Sequence, residues 1–221
     1  MTDRIFSDEV VARFGAHYPD EPVKLAHKLL GHPLLELESI AALAQRMRPR
    51  DVEYNAADLP ISVPQEDLPS NGLSIAETIR SIHDNGSWMV LKLIQQDPTY
   101  REFLHTTMAE LRPAITRATG EMLQLEGFIF ISSPNAVTPL HFDPEYNILC
   151  QIRGSKTMHV FPAADREMAT SMFRENYHSG GPRNLPWRDE FAERGRAFAL
   201  APGDAVYVPV GSPHWVQNDG E

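Results

Sequence analysis

Asn135-Ala136-Val137-Thr138-Pro139-Leu140-His141-Phe142-Asp143 is the stretch on which the reading of this chain turns. If it is extended, residues two apart project to the same side, so His141 and Asp143 enter one face together. An imidazole and a carboxylate side by side, joined by one more histidine, grip one face of a divalent ion. They leave the rest of its coordination sphere open, a preference of non-haem iron(II). By itself a His-x-Asp pair carries little weight, because a surface strand with a hydrogen-bonded His–Asp pair would read the same.

The third ligand has to come from the other eight of the nine histidines. His214 follows a turn (Pro202-Gly203-Asp204), a short apolar run (Ala205–Val208) and a loop (Val210-Gly211-Ser212-Pro213), so it opens a new strand after a hairpin-like return. An antiparallel barrel would bring that strand end opposite His141. His159 also sits in a strand-like run, but Lys156, Met158 and Val160 alternate onto one face there and His159 onto the other. It is expected to face away from the site. The remaining histidines carry packing or solvent roles.

Outward from these residues the chain changes character near Gly127. Beyond it, short β-rich runs recur at Phe128–Ser132, Asn147–Arg153, Lys156–Phe161, Phe198–Leu200, Ala205–Val208 and His214–Gln217, the pattern of a sandwich or barrel. A polar, Arg-containing insert at 163–196 interrupts them and is expected to be partly helical, with its charges on a solvated face; the alternative is that its arginines line an entry for an acidic peptide or small acid. Before Gly127 we expect helices at Asp8–Phe14, Glu38–Met47, Ile75–Asn85 (with Ser74 and Glu77 forming a capping box) and from Asp97 or Thr99 to Leu123, bent at Pro113. Strands are expected at Pro22–Leu29 and Trp88–Ile94, and a proline-rich loop over 49–72. The organisation expected is one compact unit, with residues 1–126 packing on a core of residues 127–221.

Composition bounds the function. Twenty Lys and Arg against thirty Asp and Glu give a formal charge of −10, a poor match to nucleic acid or anionic membrane. No Arg- or Lys-rich second helix follows Glu38–Met47, so direct DNA binding is not expected. The single cysteine, Cys150, cannot form an internal disulfide. With no long apolar run and no signal-like N-terminus, a cytoplasmic location without membrane attachment is expected.

Thr138, His141, Asp143, Asn147, the run Gln151–Lys156, Val160-Phe161-Pro162 and the segment from Pro202 to Trp215 together resemble the cupin-like JmjC oxygenases. The resemblance leans toward the branch of the asparaginyl hydroxylase that acts on hypoxia-inducible factor, and spans about residues 128–218. It implies a mainly β fold with a helical cover, a double-stranded β-helix or jelly-roll barrel whose mouth holds Fe(II) and the co-substrate 2-oxoglutarate. It further implies that His141, Asp143 and His214 ligate the metal, and that Lys156 and Thr138 meet the distal carboxylate of 2-oxoglutarate. Asn147 would lie near its chelating end. Strand parity agrees: Asn147, Leu149 and Gln151 share one face, and Ile148, Cys150 and Ile152 the other. The implied activity is hydroxylation or demethylation, with succinate and CO2 as co-products.

The family pattern continues with a further barrel strand after the residue corresponding to His214, whereas here seven residues follow it, so the barrel is expected to end before its last strand. Some members dimerise, and a homodimer is among the expected assemblies. The alternative reading is a metal-binding cupin without 2-oxoglutarate turnover, acting in regulation or binding. Protein, RNA and small-molecule substrates stay open. Phe142, Tyr207 and Trp215 are candidates for substrate contact, with plain packing as the competing role.

Overall fold

Alternation along β7 (Lys156–Val160) sets the barrel. Lys156, Met158 and Val160 point inward, and β10 (His214–Asn218) pairs beside it with His214 opposite Val160, Val216 opposite Met158 and Asn218 opposite Lys156. With β5 (Val137–His141) and β8 (Arg196–Leu200) these strands form an antiparallel sheet in the order β5-β10-β7-β8. A second antiparallel sheet has the order β1 (Val23–Ala26), β9 (Asp204–Val208), β6 (Asn147–Cys150). Between the two lies an apolar filling of Met158, Val160, Phe198, Leu200, Val206, Val208 and Val216, with Leu149 packed against it. Six chain-consecutive strands divided between two facing sheets, β6 and β9 in one and β5, β7, β8 and β10 in the other, are the framework of a jelly roll.

The computed structural model describes residues 4–56 and 72–220. Outside the barrel, β2 (Val52–Ala56), β3 (Ser87–Leu91) and β4 (Ile129–Ser132) form a third antiparallel sheet. Its apolar face packs with α2 (Leu37–Arg46), α3 (Ile75–Arg80) and α4 (Pro98–Met108) through Leu43, Ile79, Met89, Leu91 and Tyr100. The outer face of β1-β9-β6 is covered by α1 (Asp8–His17) and α5 (Arg112–Thr119), with Phe14, Leu111 and Ile115 meeting Leu25, Ala205 and Tyr207. The outer face of the four-stranded sheet is covered by the insert, which contains α6 (Ser171–His178) and a 3-10 segment at Asp189–Arg194. Among the described residues β4 and β6 each stand at the edge of a sheet. None of the described helices is long and apolar enough to cross a membrane.

Several boundaries differ from the sequence reading. The expected helix through Leu123 breaks into α4 and α5, with Pro113 in the first turn of the second. Proline has no N–H for the preceding turn and its ring crowds the carbonyl four residues back, so the first helix stops and a new one starts. The expected loop over 49–72 contains β2 at its start, and its remainder from 57 to 71 lies outside the described residues. α3 ends at Arg80 rather than Asn85, although its Ser74–Glu77 capping box forms. Strand β1 is shorter than Pro22–Leu29, and β5 ends at His141, so Asp143 lies just past the strand.

Candidate metal centre

His141 and His214 are brought together by pairing: they are direct partners across β5 and β10, with ring centroids 4.2 Å apart. Beyond that pair the register shifts, Val216 lying opposite Thr138. Two steps on β10 therefore span three on β5, a bulge over Pro139 and Leu140. Proline suits a bulge because it has no ladder N–H to lose. The extra residue also reverses the alternation, returning Thr138 to the face of His141.

Asp143 completes the cluster from the loop after β5. Its Oδ2 lies 3.8 Å from His141 Nε2 and 3.4 Å from His214 Nε2. One ligand atom from each of the three residues lies within 4.8 Å of the others. Each imidazole is held through its other nitrogen, His141 Nδ1 by the Pro139 carbonyl at 2.7 Å and His214 Nδ1 by the Ser212 carbonyl at 2.9 Å. Those carbonyls accept an Nδ1–H, which leaves the Nε2 lone pair for a metal. Burial, then the neighbouring His214, lowers the His141 pKa to about 3, so its ring is neutral at physiological pH. Burial alone would raise the Asp143 pKa, but His141, His214 and Arg183 outweigh it and keep the carboxylate ionised. Two imidazoles, each with its Nε2 free of other partners than Asp143, and one carboxylate converge as a donor set that fits a divalent ion.

Asn147, on β6, donates from Nδ2 to Asp143 Oδ2 at 2.7 Å and so fixes that carboxylate. Lys156 lies on the inward face of β7, four residues along the ladder from Val160 and thus from the position of His214. Among the described residues no carboxylate pairs with its ammonium, and burial lowers its pKa to about 8. A lysine held in such surroundings without a counter-charge is costly unless something anionic joins it. His159 faces outward and stacks on Trp215 at 4.2 Å, the rings 2° from parallel. Cys150 is also outward, and burial raises its thiol to about 12.

The three aromatic candidates for substrate contact take the packing role instead. Phe142 and Trp215 lie in the outer cluster under the insert, and Tyr207 lies under α1, its hydroxyl donating to the Pro19 carbonyl at 2.7 Å. Adjacent positions alternate, so residues next to the ligands point away from them.

Two arginines of the insert were expected on a solvated face and turn inward. Arg174 donates to the carbonyls of Ala163, Ala169 and Gly211, and its guanidinium lies 5.0 Å from the centre of the Phe142 ring. Gly211 in turn donates its N–H to the Asp143 carbonyl at 2.9 Å. Arg174 thus ties α6 to the loop before His214 and to the loop bearing Asp143. Gly211 has φ +68°, and a Cβ there would lie 2.6 Å from Arg174 Nη1, so a side chain has neither the conformation nor the room. Arg183 lines a narrow cleft beside His141 with Thr138, Trp88, Phe130 and Asn184. Nothing in the local pattern separates these two from Arg188 and Arg194, which do form exposed ion pairs.

Comparison with known proteins gives three consistent results. The profile of the cupin-like domain family matches residues 74–221. Two curated relatives are each 28% identical over about two-fifths of this chain. They are Jumonji C domain-containing protein 5 of Drosophila melanogaster (101 residues) and lysine-specific demethylase JMJ31 of Arabidopsis thaliana (99 residues). The matched regions cover 24% and 18% of those relatives, so this chain corresponds to a small part of each. Solved structures of YcfD, a ribosomal oxygenase from Escherichia coli, share the fold. One superposes with TM-score 0.58 at 16% identity over 99% of this chain and 52% of that one. Another, in complex with cobalt and 2-oxoglutarate, gives 0.53 at 14% identity over 97% and 49%.

Proposed function

We propose that this chain, which belongs to the cupin-like domain family and its JmjC oxygenases, is an Fe(II)- and 2-oxoglutarate-dependent oxygenase. The observation that carries the reading is the pairing of two features on one barrel face. A His141–Asp143–His214 cluster can hold a divalent ion, and an inward lysine, Lys156, lacks a carboxylate partner among the described residues. A cupin that only bound metal would have no use for that second feature. A dianionic co-substrate needs both, one end at the metal and the other at a cation.

When bound, Fe(II) with 2-oxoglutarate and dioxygen supplies oxidation of a substrate C–H bond, with succinate and CO2 released. The chain's own residues do the positioning. His141, Asp143 and His214 would hold the ion, their orientation preset by the Pro139 and Ser212 carbonyls and by Asn147. Lys156, with Thr138 on the same inward face, would take the distal carboxylate. The apolar filling around Met158, Val160 and Val216 excludes water and strengthens that charge pair. Hydroxylation is the simplest outcome of such a site, and demethylation is the same reaction at an N-methyl carbon.

The test is 2-oxoglutarate consumption coupled to succinate formation with Fe(II) in air. We expect slow turnover even without an added substrate, abolished by Asp143→Ala. Absence of turnover together with absence of 2-oxoglutarate binding to the metal-loaded protein would contradict the reading.

A further inference from the structure

The cleft beside His141 is lined by a cation, Arg183, that holds neither the metal nor the co-substrate in the site described so far. Arg183 sits where the insert is fastened to β5: Leu185 donates to the Leu140 carbonyl at 2.7 Å, Asn184 bridges to His141, and Leu185 is fully buried. The guanidinium lies close enough to act electrostatically on His141, Asp143, Glu145 and Tyr177. It nevertheless makes no ion pair among the described residues. Asp143 is occupied by the two imidazoles and Asn147. Glu145 has its pKa raised, by burial and then by Asp143. Glu53, the carboxylate that lines the cleft, pairs with Lys92. Trp88, from β3, lines the same cleft. Its indole N–H is buried without an acceptor among the described residues, as is that of Trp215 in the outer cluster, so the unpaired N–H does not by itself mark a ligand site.

We propose that this cleft binds a carboxylate of the substrate, held by the Arg183 guanidinium beside the metal centre. The guanidinium donates, and a carboxylate offers two acceptor oxygens that match its planar fork. Phe130, 46% exposed and lining the same cleft, gives an apolar surface for the carbon chain behind the acid. The substrate class is thus an acidic one, either an aspartate or glutamate side chain of a protein or a free organic acid. The inference rests on the oxygenase reading above.

The experiment uses the full chain loaded with Zn(II), which supports no turnover, and follows the indole 15N–H resonances, with that of Trp88 assigned by Trp88→Phe. 2-Oxoglutarate is titrated first and then kept saturating. N-acetyl-aspartate methylamide represents a peptide side chain and malate a free acid, with N-acetyl-asparagine methylamide and N-acetyl-lysine methylamide as controls. The carboxylate probes should shift the Trp88 resonance saturably and the controls should leave it in place. Arg183→Gln should weaken the carboxylates at least tenfold with 2-oxoglutarate affinity unchanged, and Arg183→Lys should retain part of the effect. Tighter binding of the peptide form assigns a protein substrate, and tighter binding of malate assigns a free acid; either upholds the proposal. It is overturned if the amide binds as well as the acid or if no probe moves Trp88. It is equally overturned if Arg183→Gln weakens 2-oxoglutarate instead, which would make Arg183 a co-substrate residue. If 2-oxoglutarate itself fails to bind, the oxygenase reading fails on that titration, and the carboxylate arms are then read on the zinc form alone.

Discussion

The two faces of the β5-β10-β7-β8 sheet are built from alternate residues of the same strands and have opposite characters. The outer face is closely packed: Leu140, Phe142, Phe161 and Trp215 lie beneath Met168, Leu185 and Phe191, and His159 is stacked on Trp215, whose buried indole N–H has no acceptor among the described residues. The inner face mixes apolar filling with His141 and His214, whose ligand atoms converge with that of Asp143, and with Lys156 four residues along the ladder, which has no carboxylate partner among the described residues. Residue for residue the difference is one step along the chain: Phe142 between His141 and Asp143, Trp215 beside His214, His159 between Met158 and Val160. One face is occupied with packing, and the other gathers the metal-binding cluster and an unpaired lysine, which is where a ligand belongs.

Breaking the inner face should have the largest effect. Asp143→Ala removes the carboxylate shared by both imidazoles, and metal affinity should fall by well over the roughly hundredfold that loss of a supporting partner brings. Equilibrium dialysis with Mn(II) checks this, and the melting temperature of the metal-free protein should hardly move. The outer face should show the reverse. Leu140→Ala opens a cavity at a fully buried position and should cost about 2–5 kcal/mol in urea unfolding. The surviving folded fraction should still bind metal.

Arg174 sharpens the comparison because it belongs to the outer cover and reaches the inner site through Gly211 and Asp143. Arg174→Ala should lower metal affinity by roughly tenfold, in the range found for groups that orient ligands. A purely structural role would lower the unfolding midpoint and leave that affinity unchanged.

The last expected effect is a pH dependence. Lys156 has its pKa lowered to about 8 by burial, so in the ligand-free fold it loses its proton while an unfolded lysine still keeps one. Stability of the ligand-free protein should therefore rise between about pH 8 and the ordinary lysine range, since the unfolded state binds more protons there. Affinity for 2-oxoglutarate should move the other way. It should be constant below pH 8 and weaken above it by up to about tenfold per unit, because binding must then restore the proton. Calorimetry from pH 6.5 to 9.5 reads both limbs, and Lys156→Arg should flatten them.

Much of this division was legible in the chain itself. The parity of Lys156, Met158 and Val160 against His159, and of Asn147 and Leu149 against Ile148 and Cys150, matches the observed faces because a strand's period of two depends on nothing distant. β2 was hidden because Val52–Ala56 adjoins a proline-rich stretch and gains its strand character from pairing with β3. The bulge at Pro139–Leu140 is visible only through the register against β10. The inward turn of Arg174 and Arg183 depends on where the insert folds back onto β5 and the loop before His214, a tertiary fact with no local periodicity.

The account's central claim is that one barrel face holds a metal and a dianionic co-substrate together. Calorimetric titration of 2-oxoglutarate into the Mn(II)-loaded parent and into Mn(II)-loaded Lys156→Ala tests it most directly. The parent should bind only when metal is present, and the variant should bind at least about a hundredfold more weakly, as expected when a buried charge pair loses one member. Its Mn(II) affinity should stay the same. Equal 2-oxoglutarate affinity in parent and variant, or binding by the parent that needs no metal, would contradict the claim.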